Sequence, residues 1–144
     1  MLNLKATKFY DDVLKELNYP FADIFIFKGY VISEIKEGVV FSWEEHAKII
    51  VKDVTSFTKT DGSNLVYLSH RVNSYSLKPM DWLYFYKNSF NLKGYGVIGY
   101  NSFSFLNTVV ENLFFSKKIR RFGDLETAVQ WAKSRVLINV NNKD

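Results

Sequence analysis

The stretch NLVYLSHRVNSYSLKP, residues 64–79, holds the densest run of groups that could do chemistry in this chain. Hydroxyls at Ser69, Ser74, Tyr75 and Ser76, an amide at Asn73, an imidazole at His70 and a guanidinium at Arg71 all fall within it. Arg71 could take a carboxylate or phosphate through two parallel hydrogen bonds, with the start of a following helix adding partial positive charge. Asn73, Ser74, Tyr75 and Ser76 would complete such a ligand or partner contact. In the competing reading Asn and Ser simply bond the loop's own backbone, as they do in turns. Ser74 and Ser76 are also hydroxyls open to phosphorylation.

Ser69 and His70 invite a nucleophile-and-base reading, but neighbours on a strand point to opposite faces and cannot hydrogen-bond as catalytic partners must. The only other histidine, His46, is expected on the solvent side or flank of a helix. With no cysteine there is neither a thiolate nucleophile nor a cysteine metal site. Glu44-Glu45 and Asp11-Asp12 are neighbouring carboxylates of the kind that solvated surfaces carry freely, so no metal and no cofactor is expected. No catalytic constellation emerges, and the chain reads as a protein without enzymatic turnover.

GYGVIG, residues 94–99, has the spacing of a dinucleotide-binding fingerprint, yet its glycines lie inside an apparent strand rather than between strand and helix. Close packing against a helix accounts for them better. Lys117, Lys118, Arg120 and Arg121 could contact phosphates, but lysines on an edge strand also guard against sheet-to-sheet aggregation. The net charge of +4 is too small to imply a nucleic-acid partner.

Around the central loop the elements order themselves. Residues 65–68 form a short apolar strand, and Pro79 suits the first turn of a helix. Ligands of α/β sheets gather outside the carboxyl ends of strands, which makes residues 71–76 the default place to look. Upstream, residues 21–27 and 30–36 read as a hairpin about Lys28-Gly29, and residues 39–41 as a third small strand after a turn at Glu37-Gly38. Residues 1–20 lean towards strand. Ser42 and Glu45 have capping-box spacing, and Trp43, Ala47, Ile50, Val51, Val54 and Phe57 make one helical stripe that ends near Thr58. Downstream follow a helix after Pro79, a strand over residues 92–100, and a helix from Ser102 or Ser104. A basic strand over residues 117–122 and a helix opening at Asp124 complete the series, the latter burying Leu125, Ala128, Val129, Ala132 and Val136. Such alternation predicts an α/β fold, a mixed sheet of about five strands with about four helices packed against it.

The 144 residues fit a single domain, with a core over residues 20–138 and a polar tail over residues 139–144. A 47% hydrophobic and 24% charged composition excludes a disordered chain. No apolar run approaches the ~20 residues of a membrane span, and no signal-like apolar segment opens the sequence. A cytoplasmic protein is expected. Aromatic residues make up 17% of the chain, more than a core of this size encloses, so some should line a pocket or an interface. A two-fold homodimer is the simplest cover for them.

Residues 30–38, the strand-loop segment 65–79 with HRVNSYSLKP, the strand-then-helix carrying Glu111 and Phe115, and the closing FGDLETAVQW of residues 122–131 together resemble bacterial STAS-like proteins related to anti-sigma-factor antagonists. The resemblance spans roughly residues 20–135. It implies a four- or five-stranded mixed sheet with packed helices, and a regulatory or protein-interaction role. The antagonists carry a phosphorylatable serine in an Asp-Ser-Ser-Gly-like element at a strand-to-helix junction. Here that junction lacks the Asp and the Gly, so the switch is not carried across, although Ser74 and Ser76 remain chemically competent. The fold is also related in shape to the CRAL-TRIO lipid-transfer domains. A binder of a small apolar or amphipathic, lipid-like ligand in an aromatic-lined pocket therefore stands as the alternative to a protein-interaction module.

Overall fold

The computed structural model describes residues 2–77, 81, 92–100 and 119–141. Its main element is a six-stranded mixed sheet in the order β1-β2-β3-β5-β7-β8. The strands are β1 (Lys15–Tyr19), β2 (Ala22–Ile26), β3 (Tyr30–Ile35), β5 (Val66–His70), β7 (Gly94–Ile98) and β8 (Arg120–Phe122). The first three form an antiparallel meander, and β3, β5, β7 and β8 run parallel. A separate two-stranded parallel ribbon pairs β4 (Val40–Phe41) with β6 (Ser76–Leu77). Among the described residues there are two α-helices, α1 (Lys48–Thr58) and α2 (Leu125–Asn141). The helices expected after Pro79 and near Ser102 lie outside the described residues. The sheet has six strands where about five are expected; residues 15–19 form one of them, in line with the strand leaning of residues 1–20, while residues 40–41 pair in the ribbon instead.

Each face of the sheet carries its own core. On one face Ile24, Val31, Ile35 and Val97 pack against Trp43, Ala47, Ile50 and Val54 of the first helical segment. On the other Phe25, Ile32, Leu68 and Ile98 pack against Leu125, Ala128, Val129 and Ala132 of α2 and against Leu4. Burial on both faces explains why β3 is almost continuously apolar. The hairpin turn between β2 and β3 forms at Gly29, with φ of 85°.

Segment 42–58 begins as the capping spacing predicts but with a different division of labour. Ser42 Oγ accepts from the Glu45 amide at 3.2 Å. The amide of Ser42 is taken by His46 Nδ1 at 2.9 Å rather than by the Glu45 carboxylate. The first turn, Trp43–Ala47, is π-helical, and Asp81 accepts from its leading Trp43 amide at 3.2 Å. His46 is therefore not on the solvent side as expected. It is buried, stacked on Phe41 and tilted against Phe21, because its ring bonds back to the cap.

Gly94 and Gly96 face α2. A Cβ on Gly94 would stand 2.9 Å from the Trp131 ring, and one on Gly96 would stand 2.8 Å from Leu68 and 3.0 Å from Phe122. The GYGVIG spacing is thus a packing notch. Asp124 caps α2 as expected, accepting from the Thr127 amide at 2.7 Å. The helix continues to Asn141 and so takes in residues 139–141, the first part of the expected polar tail.

Only the last part of residues 1–20 is strand. Before it come two 3-10 turns, Leu4–Ala6 and Lys8–Asp12, which carry Leu4 into the α2-side core. They also bring Lys5 (2.8 Å) and Tyr10 (2.6 Å) onto the Glu16 carboxylate, which Asn18 joins at 2.8 Å. Burial opposes ionisation of Glu16, but these three donors outweigh it and pull its pKa from 4.5 to about 2. A depressed folded-state pKa gives stability that is present above the unfolded value and lost as pH falls through the folded one. Glu16→Gln is expected to flatten the acid limb of the stability profile between pH 4.5 and about 2, as read from urea midpoints. An unchanged limb would remove Glu16 from the acid response.

Candidate functional site

The carboxyl ends of β3, β5 and β7 lie side by side, with Ser33 opposite Ser69 and His70 opposite Ile98. Alternation along each strand sends successive polar residues to opposite faces. Glu34 and His70 point to the α2 side, joined there by Tyr100 just beyond β7. Ser33, Tyr67, Ser69 and Arg71 point to the α1 side.

On the α2 side His70 is 1% exposed and Glu34 5%. His70 Nδ1 lies 2.7 Å from Glu34 Oε2, and His70 Nε2 lies 2.5 Å from the Tyr100 hydroxyl. The same Glu34 oxygen accepts the Leu4 amide at 2.7 Å. A carboxylate only accepts, so the Nδ1 hydrogen points to Glu34, and the free lone pair of Nε2 receives the Tyr100 hydroxyl. This carboxylate, imidazole and phenol series has the connectivity of a nucleophile-activating relay with tyrosine at its end. Its electrostatics point the other way: burial first, then the charges of Glu34 and Asp124, raises the Tyr100 pKa and disfavours the phenolate. By its geometry the series ties β3, β5, the residue just beyond β7 and the N-terminal segment together.

On the α1 side Ser33 and Tyr67 share a hydrogen bond of 2.5 Å. Arg71 Nε donates to Ser69 Oγ at 2.7 Å, Ser69 lies 3.3 Å from the Tyr75 hydroxyl, and the guanidinium sits 5.3 Å from the Tyr75 ring centroid. Arg71 is buried. Ser69 and His70 are split across the sheet, as strand alternation predicts, and cannot act as nucleophile and base.

The sequence-predicted contact residues divide. Arg71 and Tyr75 are drawn into the α1-side network. Asn73 Nδ2 donates to the Ile35 carbonyl at 2.9 Å, and the Ser74 amide donates to Glu37 at 2.6 Å. The backbone of the loop is further held by Gly38 N–H on the Ser74 carbonyl and Ser76 N–H on the Val39 carbonyl. Ser74 and Ser76 are exposed. Within the predicted set, then, Asn73 and Tyr75 tie the loop to β3 and β5, and the two serines face solvent. Arg120 and Arg121 are exposed on β8, with Arg120 6.0 Å from the Trp131 ring centroid, and Lys117 and Lys118 lie outside the described residues.

Sequence reasoning missed the Glu34, His70 and Tyr100 series. The available signal was a charged residue at the inward phase of an otherwise apolar strand, Tyr30, Ile32, Glu34, which requires a buried partner. Away from the strand ends, a surface groove of about 260 Å³ is lined by Lys8, Phe9, Asp12, Glu126, Val129, Gln130 and Lys133. Charges of both signs surround its single aromatic ring. Among the described residues no group of three or more His, Asp or Glu side chains could hold a metal ion, and no helix is long and apolar enough to cross a membrane. Comparisons with protein-family models, with curated proteins and with solved structures find no match to this chain.

Proposed function

We propose that the chain is a non-enzymatic, STAS-like regulatory module that meets a protein partner through the rim formed by residues 71–76 and the β4–β6 ribbon. One observation carries this reading: the polar side chains described at the carboxyl edge of the sheet bond one another and the loop backbone. Groups already engaged in this way stiffen a surface rather than wait for a reacting substrate. Over that base the loop offers Ser74 and Ser76, with Val40 52% exposed alongside. A rigid rim with an apolar residue beside open hydroxyls suits protein docking, and a phosphoryl group on Ser74 would add charge close to Glu37 and repel it.

The test places a photo-crosslinking amino acid at position 74 and, as control, at the exposed Lys52. A protein adduct specific to position 74, abolished by Val40→Asp, is expected in the natively purified material. Adducts shared equally with position 52, or a retained apolar small molecule in the native mass spectrum with no position-74 adduct, would overturn the reading. The second of these results would favour a lipid-like ligand instead.

A further inference from the structure

β1 is the outermost strand of the sheet and has a single neighbour among the described residues. The direction of its unpaired groups follows from its register. The bonds Lys36 N–H to Phe21 O and Phe27 N–H to Tyr30 O show that β2 pairs with β3 through Phe21, Asp23, Phe25 and Phe27. The backbone groups of Ala22, Ile24 and Ile26 therefore turn to β1, where they meet Tyr19, Leu17 and Lys15. The amides and carbonyls of Glu16 and Asn18 consequently point away from the sheet. Edges of this kind pair with another strand unless something blocks them; β1 has neither a proline nor a covering element among the described residues, and its two charged residues, Lys15 and Glu16, find partners in the register below.

The helix above this edge is apolar where it overhangs. Ile49, Asp53 and Phe57 stand four residues apart on one ridge of α1, and Asp53 accepts from the Tyr19 hydroxyl at 2.6 Å, which fixes that ridge on the β1 side. Ile49 is 41% exposed and Phe57 44%.

We propose that β1 pairs antiparallel with β1 of a second copy of this chain, about a two-fold axis normal to the sheet, which extends the sheet through both protomers. Such an axis keeps the faces in common, so the two α1 ridges meet above the joint and cover Ile49 and Phe57. Full overlap of the strands sets Leu17 against Leu17 of the second copy, Glu16 against Asn18, and Lys15 against Tyr19. The charges fit this register. Lys15 arrives beside the Tyr19 and Asp53 pair of the other protomer, and Glu16, already bonded to Lys5, Tyr10 and Asn18, faces an amide. A shift that set Glu16 against Glu16 would oppose like charges directly. This surface is distinct from the 71–76 rim, so the two proposals stand or fall separately.

The absence of cysteine gives a clean test. Residues facing each other at a non-hydrogen-bonded antiparallel position have Cβ atoms about 4.5–5.5 Å apart, within a small adjustment of disulfide reach. Leu17→Cys is expected to give a covalent homodimer on mild oxidation, while Glu44→Cys, exposed elsewhere, stays single-chain. The unmodified protein should sediment at twice its 16.8 kDa chain mass at micromolar concentration. Asn18→Pro removes an outward backbone amide and none that pairs with β2, at the cost of the exposed side-chain bonds to Glu16 and Asp23, and should weaken association by ~10-fold or more while melting remains cooperative. If Asn18→Pro does not fold, Ile49→Lys on the exposed ridge takes its place with the same expectation. A wild-type protein that sediments as one chain overturns the proposal. So does a dimer that neither crosslinks through position 17 nor responds to the folded variant.

Discussion

Replacing His70 by leucine should lower the unfolding free energy by about 3 kcal/mol, the upper end of the cost of leaving a buried group, here a carboxylate, without its hydrogen-bond partner. The reason lies in what remains. Glu34 would keep only the Leu4 amide, and the Tyr100 hydroxyl would lose its bond to the imidazole, while leucine restores most of the lost volume. Replacing both partners should cost far less, since an apolar pair of similar shape leaves no stranded charge. His70→Leu with Glu34→Met is therefore expected to recover most of the loss, less about 1 kcal/mol for the Leu4 amide left without its acceptor. Urea unfolding of the four proteins closes the cycle. A single His70→Leu costing under about 1 kcal/mol, or a double variant no better than the single, would show that the series is not a coupled unit.

The second large effect is expected at Gly29, where two penalties coincide. Its φ of 85° is a conformation that a residue with a Cβ adopts only under strain, and the added Cβ would lie 2.6 Å from Cγ2 of Val136. The backbone contributes about 1–2 kcal/mol and the overlap about 1–3 kcal/mol, so Gly29→Ala should destabilise by about 2–5 kcal/mol. The two parts separate experimentally. Val136→Ala removes both methyl groups that the new Cβ would meet, and in that background Gly29→Ala should retain only the backbone cost. Equal penalties in the two backgrounds, measured by thermal unfolding, would mean that Val136 moves aside freely and only the turn conformation matters.

How far the fold could be read from sequence depended on whether the signal was local. Gly29 between two apolar runs, Ser42 three residues before Glu45 and Asp124 ahead of an apolar stripe each carry their information within a few residues, and each marks the element expected there. His46 defeated the helical wheel because the ring is pulled back to its own cap. The N-terminal segment read as strand because Phe9 and Val13 suit either period, and the docking of Leu4 beside Glu34 selects turns instead. The Glu34, His70 and Tyr100 series was out of reach. Its members are 36 and 30 residues apart, so only the parallel register of β3, β5 and β7 brings them together. For the loop at 71–76, composition announced polar chemistry but not its direction, and Asn73 and Tyr75 turn inward while Ser74 and Ser76 do not.

The alternating polar pairs at the ends of β3 and β5 also solve a problem of alignment. A strand buried on one face finds its register by its apolar pattern, because a slip of one residue exposes every core side chain. β3 is buried on both faces, and β5 nearly so, so a slip between them would exchange one apolar surface for another at little cost. Ser33 with Glu34, and Ser69 with His70, restore the distinction. One step along either strand would carry a carboxylate or an imidazole into the α1-side core and a serine into the α2-side core, breaking the bonds of both faces together. In this chain four polar side chains, rather than the hydrophobic residues around them, tell the central strands where to stop.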